Sequence, residues 1–248
     1  MRSISLAVSL AAVLLWASPG RAATPEELAA WDALFVKRSD DAAVKELDAA
    51  LSKALEASPQ DYELLWRSAR ILQWQADGAA DKLKKTLAKR TWDMADRARA
   101  AAPDRVEGHY FAATGIGSYS QAVGILKALG DGLEGKFNER LDAAIRIDAQ
   151  YERGAPLMVK GRYHYELPWP KRDLKKSAEL LQKVTAAHPG NLRAWMYLAD
   201  TLLAQDEPKK AQEAILKVSE GSVAYDPSEG RRVQQQAKAV RARIEEKL

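Results

Sequence analysis

Cysteine is absent from the 248 residues, which excludes disulfides, thiolate nucleophiles, cysteine-ligated zinc and iron–sulfur clusters. Histidine is scarce: His109, His164 and His188 are the only three, leaving little for metal ligation or for acid–base work near neutral pH. Runs rich in Val, Ile and Thr are missing, and so is two-residue alternation, which argues against any sheet. No phosphate-cradling glycine loop or nucleophile motif occurs: Gly115 and Gly117 lack a preceding strand and a suitably spaced downstream lysine. Adjacent carboxylates such as Asp40 and Asp41, or Glu245 and Glu246, fall at helix starts or ends and read as caps rather than acid–base pairs. A chain so equipped is expected to be no enzyme, with no metal and no cofactor.

Long apolar runs are confined to the start. Arg2 precedes an almost uninterrupted apolar stretch from Ile4 to Trp16. Pro19 and Gly20 then break it, and Gly20 and Ala22 put small residues at the −3 and −1 positions of a cleavage site. This is the layout of a secretory signal peptide over residues 1–22, followed by a mature region over 23–248. No later stretch approaches the roughly 20 apolar residues of a spanning helix, and no cysteine is available for a lipid anchor. The expected compartment is the periplasm. Removal of Arg2 and Arg21 lowers a net charge of +4 by two, which gives no support to nucleic-acid binding.

With 47% hydrophobic residues, what remains can fold around a core. Leu47, Leu51, Ala54 and Leu55, or Leu180, Leu181 and Val184, share single helix faces. A longer period runs beneath this. Alanine-rich segments end in the turns Ala57-Ser58-Pro59-Gln60-Asp61, Ala101-Ala102-Pro103-Asp104 and Ala187-His188-Pro189-Gly190-Asn191, and Ile147-Asp148-Ala149-Gln150 fills the same slot without proline. Regular punctuation of this kind predicts an all-α solenoid of helix pairs. Five units are expected, over 25–57, 60–102, 104–148, 151–188 and 191–219, with a capping helix over 227–248 begun by Asp226 and Pro227. The stretch Gly115–Gly135 holds six of the 14 glycines and is expected to bend in several places, as a lid, an interface or added core. Pro168-Trp169-Pro170 is expected to make a rigid corner.

The best-kept unit carries a resemblance. Asn191-Leu-Arg-Ala-Trp195-Met-Tyr-Leu198-Ala199-Asp-Thr-Leu202, followed by Ala211, Ala214 and Ile215, resembles the tetratricopeptide repeat (TPR), which implies a right-handed superhelix. Glu63-Leu-Leu-Trp66-Arg67-Ser-Ala69-Arg70 and Gly108-His109-Tyr110-Phe-Ala-Ala look like degenerate repeats of the TRAP-transporter T-component type. With the Leu167-Pro168-Trp169 corner added, they are also similar, more distantly, to the regulator-of-microtubule-dynamics family, whose microtubule-linked branch is eukaryotic and intracellular, unlike a chain with an export leader. T-component likeness implies a periplasmic protein able to oligomerise and a solute-binding subunit as partner.

The concave wall of such a superhelix is built from the first helix of each pair. With Leu65 and Ala69 packed between helices, Trp66, Arg70 and Trp74 are expected to face the groove. Met158, Arg162 and Tyr165 take equivalent places in the fourth unit, and Tyr119 reaches over from the insertion. Aromatics alternating with arginine suit an extended peptide or a partly apolar small anion. The expected function is a non-catalytic scaffold for a protein partner, with a small-ligand carrier or transporter accessory as the alternative.

Overall fold

The computed structural model describes residues 22–248; the apolar core of the expected leader lies outside them. The described residues form twelve helices and no strand: α1 Pro25–Val36, α2 Asp41–Ala57, α3 Tyr62–Gly78, α4 Asp81–Ala101, α5 Val106–Val123, α6 Ile125–Gly130, α7 Leu133–Asp148, α8 Tyr151–Glu166, α9 Leu174–Ala187, α10 Leu192–Ala204, α11 Pro208–Ser219 and α12 Pro227–Glu245. None is long and apolar enough to cross a membrane.

Short polar side chains start many of these helices by satisfying backbone N–H groups that have no partner in the first turn. Thr24 and Glu27 form a reciprocal capping box on α1. Asp61 accepts from the backbone of Glu63 and Leu64, Asn191 from that of Ala194, and Asp226 from that of Glu229, with Pro227 in the first turn of α12.

The helices pack as successive hairpins: α1 with α2, α3 with α4, α5 with α7, α8 with α9 and α10 with α11, with α4 on α5 and α9 on α10 joining neighbouring units. The array is an all-α, TPR-like solenoid. Small residues set its pitch. A Cβ on Gly108 would stand 2.6 Å from the Arg99 backbone nitrogen, and one on Gly115 would stand 2.7 Å from that of Trp92. Glycine is what lets α5 approach α4 so closely.

That packing role corrects the expectation for Gly115–Gly135. Gly115 and Gly117 lie inside an unbroken α5, and the chain turns only at Gly124 (φ 93°) and Gly132 (φ 72°). Between them α6 packs Ala128 against Leu133 and Phe137. At the other corner Trp169 is 88% exposed, so it packs on nothing. The start of α8 is also irregular. Glu152, Arg153 and Gly154 have left-handed backbone, and regular helix resumes at Ala155 with Pro156 in its first turn.

α12 covers the last pair with Val233, Ala237, Val240 and Ile244. Its beginning also reaches the opposite end of the array. Ser228 Oγ donates to the Val36 carbonyl at 2.9 Å, Arg38 pairs with Asp226, and Arg232 donates to the Trp74 carbonyl at 2.9 Å. First and last units therefore touch along one edge of the concave face.

Candidate functional site

The concave face holds a cavity of about 360 Å³, partly open to solvent, within the size range of small-molecule sites. Each inward helix contributes one stripe at helical spacing. α3 presents Arg70, Gln73, Trp74 and Asp77; α5 presents Tyr110, Thr114, Gly117 and Gln121. α8 adds Met158, Arg162 and Glu166, α10 adds Arg193 and Tyr197, and α12 adds Glu229 and Val233. The short helix α6 lines one side with Ile125 and Leu129.

Of the residues expected to form the groove, Arg70, Trp74, Met158 and Arg162 line this cavity. Trp66, Tyr119 and Tyr165 do not. Trp66 is buried against Ala69, Ala95 and Phe111, with Arg67 and Arg70 over its ring, so a guanidinium stands where the indole was expected. Tyr119 turns the other way, edge-on to Trp92 at 6.4 Å. Tyr165 has Arg162 and Arg172 over its ring, and Glu166 takes its place in the lining.

The alternation of arginine and aromatic side chains becomes a stack. Arg67 lies 4.2 Å from the Trp66 ring centre, and Arg70 lies between Trp66 and Phe35, at 4.7 and 3.8 Å. Arg38 lies between Phe35 and Trp74, at 4.1 and 4.6 Å, and Arg232 covers Trp74. Each such contact is worth about 0.5–2 kcal/mol. Together they tie α1, α3 and α12 along the seam where the array closes.

Carboxylates fix the stack from its flanks. Asp32 accepts from Arg67 Nη2 at 2.8 Å and also pairs with Arg70. Burial pushes the Asp32 carboxyl up, but the hydrogen bonds and charges of Arg67 and Arg70 outweigh it and hold the group below its ordinary value. The same balance governs Arg193 and Glu229: burial opposes both charges, yet their pairing keeps the guanidinium above and the carboxyl below their usual values. Arg232, with no carboxylate in ion-pair range, is lowered by burial to about 10.

Asp77 is different. It lines the cavity with an exposed side chain, and it accepts a 2.8 Å hydrogen bond from Gln73, which also donates to Ser118. Burial pushes its carboxyl up. Burial also pushes up the Tyr110 phenol, aided by the charges of Asp77, Glu152 and Glu229. Sequence reasoning missed Asp77, Tyr110, Arg193 and Glu229. The i, i+3, i+4, i+7 stripe from Arg70 to Asp77 was the available signal.

Among the described residues no group of three or more His, Asp or Glu is arranged to hold a metal ion. His109 gives its Nε2 to the Pro103 carbonyl at 2.8 Å, which explains its burial at a helix start.

Fold and cavity together define a TPR-like α-solenoid whose inward helices surround a partly open cavity. The likeness is measurable against solved structures: a thermophilic TPR protein of Thermus thermophilus, TTC0263, superposes with a TM-score of 0.63 at 17% identity, covering 86% of this chain and 96% of that one. MamA follows at 0.47, with 16% identity over 79% of this chain and 92% of that one. No match is found among curated proteins. A sequence profile described as "Regulator of microtubule dynamics protein 1-3" matches residues 28–245, and the chain belongs to that family. Of the two narrower likenesses read from the sequence, the more distant one is thus the family shown.

Proposed function

We propose that this protein is an exported, non-catalytic binding module that takes a short segment of a partner protein into its concave cavity. The observation that carries the reading is convergence: α3, α5, α8, α10 and α12 each turn one stripe of mixed aromatic and polar side chains onto the same space. The lining hydroxyls of Thr114 and Ser120 donate to backbone carbonyls rather than to a side-chain base, which favours binding over hydrolysis. Export rests on the leader-like start of the sequence, and the periplasm is the compartment it implies.

A second reading, a small-ligand carrier, is favoured by the seam of Arg38, Ser228 and Arg232, which narrows an open groove to a partly enclosed space. The two separate by comparing the mature protein with its Thr114→Phe variant, which narrows the cavity. Photo-cross-linking in cells should trap a partner polypeptide on the wild type and at least tenfold less on the variant, with unchanged circular dichroism. Equal trapping by both proteins rejects the cavity as the partner site. A small molecule retained by the wild type in native mass spectrometry, with no trapped polypeptide, selects the carrier.

A further inference from the structure

We propose that the seam side of the cavity, lined by Arg38, Arg70 and Arg193, binds the carboxylate of a ligand that carries an apolar stem. This deepens the binding reading above and rests on it. The shared chemistry has two sources, a free aliphatic acid or the chain terminus of a partner protein.

The observation is a surplus of donors. A guanidinium has more N–H groups than one carboxylate contact fills. Arg38 donates from Nη1 to the Phe35 carbonyl and from Nη2 to Asp226, Arg70 from Nη2 to Asp32, and Arg193 from Nε to Glu229. Arg38 Nε, Arg70 Nε and Arg193 Nη2 are left buried without a partner. All three side chains line the cavity, and Arg38 is 5% exposed. They are neighbours: Arg38 and Arg70 both lie on the Phe35 ring, at 4.1 and 3.8 Å, and the charges of Arg193 and Arg38 both act on Glu229. A buried donor left unpaired is costly, and an acceptor entering the cavity removes that cost. A carboxylate brings oxygens that each accept more than once, so a single group can serve several donors.

Charge points the same way. Burial lowers Arg70 in spite of its pairing with Asp32, and lowers Arg232, beside Trp74, to about 10. Both guanidiniums gain from a further negative charge. The lining carboxylates do not supply it: Asp226, Glu229 and Glu166 are paired to Arg38, Arg193 and Arg162, and Asp77 and Glu152 are exposed to solvent. Gln73 Oε1 is a buried acceptor without a partner on the same wall, and the amide N–H beside a chain terminus would fill it. Away from the seam the lining turns apolar. Ile125 and Leu129 of α6, Leu133 and Phe137 of α7, and Val159 and Leu167 of α8 border the same space. There α6 packs on α5 and α7, and Glu134 is held by Lys171 and Tyr163. A head that accepts hydrogen bonds and a stem that avoids water match the two ends.

The test is calorimetric titration of the mature protein with decanoate and with acetyl-Gly-Leu-Leu as the free acid, using decylamine and acetyl-Gly-Leu-Leu-amide as probes with the same stems and no carboxylate. A carboxylate probe should bind the wild type at least tenfold more tightly than its amine or amide counterpart, and acetate, which lacks the stem, at least tenfold more weakly. Arg38→Lys and Arg193→Lys keep a cation for Asp226 and Glu229 and lose the spare N–H donors. Each should weaken the carboxylate probe at least fivefold, with thermal melts showing it folded; where a variant does not fold, the probe comparison on the wild type decides. Binding of decanoate identifies a free acid as sufficient, and binding of the peptide acid alone assigns the group to a chain terminus. Equal affinity for the amine or amide, no binding of either carboxylate, or unchanged affinity in both folded variants overturns the proposal. If the amine or amide probes bind equally and Thr114→Phe weakens them, the carboxylate assignment fails and cavity binding stands. If no probe binds and Thr114→Phe leaves partner trapping unchanged, both fail.

Discussion

Asp32 holds two arginines from a position 40% exposed, while Arg67 and Arg70 are themselves 9% and 14% exposed. Removing its charge leaves the nearly buried Arg70 with no carboxylate, while Arg67 keeps Glu63, a larger loss than that of a single surface ion pair. Asp32→Asn is expected to cost about 1–3 kcal/mol, read as a lower midpoint in urea at pH 7. Because the Asp32 carboxyl is held low, its stabilisation is present above the ordinary carboxylate pKa and disappears as pH falls through the lower, folded-state value. Wild type and variant should converge in strong acid.

Asp77 works in the opposite sense. A carboxyl pushed up in the folded state binds its proton more tightly there, so it favours folding at low pH and loses that contribution as pH rises through the folded pKa. Asp77→Asn should melt at a higher temperature than wild type at pH 8 and at the same temperature near pH 3. A lower melting temperature at pH 8 would mean that Asp77 is neutralised by a group inside the protein. The same arithmetic explains why Asp77 went unread in the sequence. A carboxylate one residue before a closing glycine looks like a solvated helix end, and only the folded wall around it makes it unusual.

At the scale of elements, the turns were legible because their chemistry is local. Pro59, Pro103 and Pro189 stop helices in any context, and Asp61, Asn191 and Asp226 announce the next ones. Glycine was not legible in the same way, because a residue that frees the backbone and one that lets two helices touch look identical in sequence. Gly108→Ala or Gly115→Ala should each destabilise by about 1–3 kcal/mol through forced separation of α4 and α5, measured by chemical denaturation. The same change at Gly130, which has open space around its Cβ position and is helical, should be neutral or stabilising. A neutral Gly115→Ala would show that the α4–α5 contact can relax. Helix faces were read well where a stripe recurs every three or four residues, which is how Arg70, Trp74, Met158 and Arg162 were found. Trp66 failed because an intervening arginine can occupy the surface an aromatic would otherwise line.

At the scale of the molecule, the meeting of residues some 190 positions apart, such as Arg38 with Asp226 and Ser39 with Ser228, leaves no trace in local pattern. Stacked repeats imply a curved trough, but whether it closes depends on summed small rotations. Here the seam has its own chemistry in the arginine–aromatic stack. Arg38→Ala removes two ring contacts and the Asp226 pair at once. It should lower stability by about 2–4 kcal/mol and raise hydrogen exchange at the start of α12 before exchange rises in α9 or α10. The leader adds a separate expectation: the exported protein should begin at Ala23 by intact mass, and an intact Met1 would reject cleavage after Ala22.

The absence of native cysteine makes closure directly measurable. Spin labels on Lys37→Cys and Gln235→Cys, both exposed positions on the two sides of the seam, report whether first and last units touch in solution. Pulsed electron–electron resonance should give one short, narrow distance distribution that broadens and lengthens when Arg38→Ala is added. A long, broad distribution in the otherwise unaltered protein would show an open trough, and the enclosed binding space would not exist.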